Sequence, residues 1–369
     1  MILKESENYA FYNRFAHEIL EIFMRIYLVV GVFGLVLFLA LISLYSKLTR
    51  YLVALFNPFI NLYVLLILIL TFLFYVYYIT WDKSKSPFLR WSHATLGIGI
   101  VFIATILMMI GNSWNSFMMS PAGIDYRGYF LGNYRHLLHS AIWNPINVHR
   151  FLGNLVFASS VLGAYSAYSA FNSTQLNDRA HYDRASLTTF MVTVFSLFAM
   201  PFAGYWLDRE IYAYRQQMGI TLHAGLLAWS FVLLATGVGL ILVAANYYIW
   251  QRIETMKEGR RYQNQIKYLF FMLTVCFLIY VTPRRSVITA EELKALGGML
   301  HPVVKNFGVE SAKEAAINIA IAITMWSILL WWRTRYIVKQ ATPWIDSLLT
   351  GLFVAGGINI IWLGIYGYY

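Results

Sequence analysis

Long apolar stretches alternate with short polar ones from one end of the chain to the other. Runs of about 20 apolar residues, the length that carries a helix across a bilayer, recur nine times. They fall at roughly 18–45, 51–80, 92–119, 146–171, 185–207, 220–250, 265–282, 313–332 and 344–368. The pattern predicts an all-α, polytopic transmembrane helix bundle of about nine spans, forming a single integral-membrane domain over 1–369. Asn57-Pro58 predicts a kink near the start of the second run.

The fourth run organises the others. NPINVHRFLGNLVFASSVLGAYSAYSAF, Asn144 to Phe171, places His149 and Arg150 in its first turn. At helical spacing one stripe descends from His149 through Gly153, Val156, Ser160 and Gly163 to Ala170. Two readings fit that stripe. One is a helix–helix contact capped by a polar group. The other is a helix laid against a flat macrocycle, where small residues admit close approach and imidazole lends a lone pair to iron. The sixth run opens with ITLHAG, and its His223 heads a similar stripe of Leu227, Ser230, Leu234 and Gly237. Both helices start from the same face, so the two histidines lie at one depth. Two level imidazoles can sandwich one heme iron. Either can instead be hydrogen-bonded in a polar interior, since histidines inside membranes seldom face lipid.

Composition narrows the class. The chain is 59% hydrophobic and only 12% charged, which excludes an ordinary soluble domain. The net charge of +11 is carried by residues that cap apolar runs, so it predicts juxtamembrane anchoring in a lipid bilayer and no nucleic-acid partner. The excess of Lys and Arg predicts a cytoplasmic N-terminus and, after nine crossings, a C-terminus outside. MILKESENYA is polar and acidic, unlike a secretory signal, so the first span is expected to be retained. The single cysteine, Cys276, leaves no disulfide within the chain, and no CxxCH is present for covalent heme.

The polar segments carry the remaining candidates. Glu21 and Arg25 are spaced as a helical ion pair. His17, His93 and His181 stand at inner span ends and are expected to be exposed or interfacial. The aromatic and glycine-rich stretch before the fourth run predicts a short interfacial helix at Asn133–Trp143. The outer loop after the fifth run holds Tyr214, Arg215, Gln216 and Gln217. Polar donors beside aromatic walls suit a quinone headgroup, and equally an interfacial belt. Arg252, Lys257, Arg260, Arg261 and Lys267 form a basic loop expected to anchor the inner face. Thr289-x-x-Glu292 reads as a capping box opening a surface helix that ends at His301-Pro302. His301 reads as a solvated loop residue, with a third ligand or a partner contact as the alternatives.

The order of several short motifs has a precedent. Trp81-Asp82-Lys83 follows one span, then Asn112-Ser113-Trp114 and Pro121-Ala122-Gly123 follow the next. Asn144-Pro145 opens another, and a polar aromatic loop precedes ITLHAG. Together these resemble subunit I of cytochrome bd-type quinol oxidases, closest to a divergent bd-like branch, over roughly residues 20–280. The resemblance implies a helical membrane subunit with heme near the outer face, including a low-spin heme b that takes electrons from quinol. The family's histidine ligand corresponds to a position near Gly153, with His149 one turn earlier on the same face, and its methionine ligand corresponds to His223. The implied heme is bis-histidine, with Arg150 placed to pair with a propionate.

Two departures shape the expected function. The family's N-terminal span with an axial histidine has no equivalent, and the run before Trp81 lacks the family's membrane carboxylates. The chain is therefore expected to exchange electrons between quinol and a partner in a respiratory complex of the cytoplasmic membrane, without itself reducing oxygen. It would have no catalytic residue of its own. Other membrane subunits, and a c-type cytochrome on the outer face, are the implied partners. The alternative is a heme-free membrane scaffold of such a complex. A transporter is disfavoured by the lack of a charged intramembrane pathway and of a broken-helix pair.

Overall fold

The computed structural model describes residues 7–81, 86–215, 218, 228–256, 259–281 and 311–334. Among them the regular elements are helical, with one isolated bridge between Ile124 and Phe130. In chain order the α-helices are α1 (Glu7–Leu44), α2 (Ser46–Leu55), α3 (Asn57–Ile79), α4 (Pro87–Met119), α5 (Tyr134–Leu138) and α6 (Trp143–Asn172). Then come α7 (Leu176–Tyr214), α8 (Ala228–Glu254), α9 (Gln263–Val281) and α10 (Ser311–Thr334). Among the described residues six segments are long and apolar enough to cross a membrane: Ala10–Leu44, Asn57–Ile79, Phe88–Met119, Leu176–Tyr214, Val232–Glu254 and Gly259–Val281. α6 and α10 coincide with two further expected runs. The run at 344–368 lies outside the described residues.

The chain divides into two compact units, Met1–Asn147 and Val148–Tyr369. In the first, α3 and α4 pack along their length around Leu70, Ile100 and Leu107. α1 meets α3 through Phe23 on Phe74, with ring centroids 4.7 Å apart, and through a 2.8 Å hydrogen bond between the Tyr27 and Thr71 hydroxyls. Beyond that point α1 is exposed, as at Leu28 and Phe33, which is the surface expected of a helix solvated by lipid. Glu21 and Arg25 do pair, at 3.8 Å.

The expected kink at Asn57-Pro58 is a full break. α2 ends at Leu55, Phe56 leaves helical geometry, and α3 restarts with Pro58 in its first turn. Proline lacks the N–H and crowds the preceding turn, so it starts a helix more readily than it continues one. α2 is amphipathic. It buries Thr49, Leu52 and Leu55, and Leu52, Leu55 and Phe56 cluster with Phe117 of α4 and Leu137 of α5. α5 is shorter than the helix expected at Asn133–Trp143. The Asn133 side chain caps it by accepting from the Arg135 and His136 amides.

In the second unit α8, α9 and α10 pack against one another around Leu242, Ile249, Leu273 and Ile321. A buried polar network joins α8 to α10. Asn246 donates to Thr324 Oγ1 at 2.7 Å, Ser327 donates to Asn246 Oδ1 at 2.7 Å, and Trp250 donates to Ser327 Oγ at 2.9 Å. α7 starts earlier and ends later than the run at 185–207. Its 39 residues span about 58 Å. Ala203, Leu207 and Ile211 continue the helical apolar spacing, and Ala203 and Ile211 are buried, so the segment expected as a loop stays helical through Tyr214.

Candidate functional site

The head of α6 is fixed by residues from the short motifs. Trp143 Nε1 donates to the Met109 carbonyl of α4 at 3.0 Å. Asn112 Nδ2 donates to Asn147 Oδ1 at 2.7 Å, and Asn147 in turn donates to the Trp143 carbonyl at 2.8 Å. Both asparagines are buried, so a satisfied amide pair sets the rotation of the first turn.

The His149 imidazole is half-buried and lies against α7 at Gly204. A Cβ at 204 would stand 3.9 Å from Cδ2 and 4.0 Å from Nε2, so the ring edge faces glycine backbone. Among the described residues the imidazole makes no hydrogen bond. One turn down, a Cβ at Gly153 would stand 4.0 Å from Met200 Cε. Thr193 donates to Ser159 Oγ at 2.8 Å, and Val156 and Ser160 are fully buried. The stripe from Gly153 to Ser160 is thus a packed helix face that meets Met200 and Thr193 of α7. At His149 it ends in a polar ring that makes no hydrogen bond among the described residues.

The other expected residues scatter. Arg150 is half-buried beside His149 on α6. Tyr214 and Arg215 are exposed at the end of α7, about 15 Å along the axis from Gly204. His223, Gln216, Gln217, His301 and the capping box lie outside the described residues, as do Lys257 and Trp81's neighbours Asp82 and Lys83. Among the described residues no three His, Cys, Asp or Glu side chains converge as a metal site. A heme iron needs only two axial ligands. The His149 imidazole has the chemistry of one and makes no hydrogen bond among the described residues, but its Nε2 edge packs on α7 at Gly204. The Gly153 position fits less well, because Met200 covers it.

Two assemblies were not foreseen. Arg252, expected in the basic inner loop, is buried at 5% exposure. Its guanidinium bonds Asp183 of α7 and Tyr248, and lies 4.3 Å from the Tyr248 ring centre. The Tyr248 hydroxyl also donates to Asp183 Oδ1 at 3.0 Å. The available signal was the i,i+4 spacing of Tyr248 and Arg252, which puts both on one face. In the first unit His93, expected to be exposed or interfacial, is half-buried: it stacks on Tyr77 with centroids 4.0 Å apart and meets the edge of Trp81. His17 reaches the same tryptophan. Thr80 donates its only hydroxyl proton to the Val76 carbonyl at 2.7 Å. His93 Nδ1 therefore donates to Thr80 Oγ1, at 3.2 Å, and Nε2 keeps a bare, buried lone pair among the described residues.

Fold and composition together define a multi-pass helical membrane protein. No protein-family model, curated protein or solved structure matches the chain.

Proposed function

We propose that the chain is a heme b-binding electron-transfer subunit of a quinol-linked respiratory complex, with His149 and His223 as axial ligands. The observation that carries this reading is the His149 imidazole, held inside a helix bundle against Gly204 with no hydrogen-bond partner among the described residues. A polar group shielded from water without a partner is destabilising, by up to roughly 1–3 kcal/mol where burial is complete, and the half-buried ring bears only part of that. A bond to iron would give the ring the partner it lacks among the described residues. Heme, when bound, supplies one-electron chemistry. The chain's own residues hold and orient it: His149 by its ring, Arg150 by a positive charge for a propionate. Tyr214 and Arg215, with Gln216 and Gln217, are the candidates to receive a quinone headgroup.

The same reading places the protein in the cytoplasmic membrane with a bd-like bundle of nine spans and a cytoplasmic N-terminus. Other membrane subunits and an outer-face c-type cytochrome are its partners. α3 contains no carboxylate, so it offers no proton-uptake group of the kind oxygen reduction requires. A heme-free scaffold is the second reading, favoured by Met200 over Gly153 and by the Ser159–Thr193 hydrogen bond. A reduced-minus-oxidised spectrum of the purified protein separates the two. The expected result is a heme b band that His149→Ala and His223→Ala each abolish while the protein stays folded. A folded wild-type protein with no heme band overturns the redox reading.

A further inference from the structure

We propose that the loop at 121–133, together with the adjoining face of α2, is a docking surface for anionic phospholipid headgroups. The loop is built rather than slack. Asp125 Oδ1 accepts from the Arg127 and Tyr129 amides, both at 2.8 Å. Asp125 N bonds the Tyr129 carbonyl at 2.9 Å, Gly128 N bonds the Asp125 carbonyl at 3.0 Å, and Leu131 N closes the base on the Gly123 carbonyl at 3.0 Å. Gly123, Gly128 and Gly132 all take positive φ. Tyr51 of α2 then ties the tip down, donating to the Gly128 carbonyl at 2.7 Å. Burial, with the Asp125 carboxylate behind it, holds the Tyr51 phenol above its usual pKa and keeps that proton in place.

This ordered backbone presents what a folded loop ordinarily hides. Tyr126 is 88% exposed, Tyr129 69% and Leu131 65%. The Arg127 guanidinium lies 5.2 Å from the Tyr126 ring centre. Lys47 and Arg50 are exposed on α2, with Lys47 one turn from Tyr51, and Arg135 is exposed on α5. None of these four cations pairs with a described carboxylate. Asp125, the one acid in this region, is occupied by backbone amides. The loop leaves the end of α4, a helix that can cross a membrane, so its tip stands at headgroup level. Tyrosine, leucine and unpaired Arg and Lys at that level match the interface: rings among headgroups, cations on phosphates. The surface is cationic, which selects an anionic lipid over a zwitterionic one.

The test uses the full-length protein in vesicles, with Leu131→Cys labelled by a fluorophore in a Cys276→Ser background, which leaves no other cysteine. Vesicles of phosphatidylcholine alone are compared with phosphatidylcholine plus phosphatidylglycerol. The expected result is quenching by headgroup-level nitroxide lipid that rises with phosphatidylglycerol. Arg127→Gln with Lys47→Gln should remove that rise, weakening the anionic preference about fivefold per charge, while Arg127→Lys retains most of it. Added salt should weaken it too. Quenching by aqueous iodide without quenching by lipid overturns the proposal and leaves a protein partner as the occupant. A phosphatidylglycerol response that survives loss of both charges overturns it as well.

Discussion

One hydrogen replaced by a methyl separates two glycines of the same loop. At Gly123 φ is +73°, and a Cβ would come within 2.9 Å of the Leu137 amide nitrogen, a backbone atom that cannot swing away. At Gly132 φ is +81°, but the space around a Cβ is open. The left-handed conformation alone is destabilising by about 1–2 kcal/mol for an L-residue. Gly132→Ala should show that amount and little more. Gly123→Ala should show clearly more, because α5 must move. Thermal unfolding in detergent compares them, and equal shifts would mean that the Leu137 backbone yields freely. His149 shows how far a residue can be anticipated. Its depth and stripe follow from spacing within one run. Its neighbour Gly204 does not, because it lies on another helix, and which faces meet is not written in either run alone.

Among the elements, α8 is tied on two faces by different chemistry. Toward α10 it uses neutral hydrogen bonds through Asn246 and Trp250. Toward α7 it uses charge, through Tyr248 and Arg252 on Asp183. Breaking a buried ion pair by removing one partner costs about 3–5 kcal/mol. The Asp183 side chain keeps 24% of its surface exposed, so the lower end applies. Asp183→Leu and Arg252→Met should each destabilise by about 3 kcal/mol, and the double variant by less than the sum of the two. A double-mutant cycle on unfolding measures this, and strict additivity would show that the pair does not interact. The run pattern counted Arg252 with the basic loop because α8 was expected to end at 250. Helix through Glu254 draws it inside, where Asp183 neutralises it. The helical extension of α7 through Tyr214 likewise turns an expected loop into an exposed helix end.

At the scale of the molecule, alternating crossings make a topological prediction for the first unit. α1, α3 and α4 each traverse once, so α2 and the loop at 121–133 share one membrane face. His17, Trp81 and His93 share the other, which their ring contacts support. In the Cys276→Ser background, an impermeant maleimide should label Lys47→Cys and Leu131→Cys from one side of sealed vesicles and Ser86→Cys only from the other. Labelling of all three from the same side would remove one of the crossings.

The amino-acid sequence alone determined that the protein is helical and lives in a bilayer. Run length, apolar content and flanking Lys and Arg are local properties, and each span can be read without knowing its neighbours. It also placed an interruption near Pro58, though as a kink and not the full break that forms, and the spacing of His149 above Gly153, for the same reason. Tertiary structure decided which faces touch: His149 on Gly204, Met200 over Gly153, Asp183 on Arg252, Tyr51 under Gly128. Those contacts join residues up to 77 positions apart in the chain, and close packing settles them only once every helix is in place.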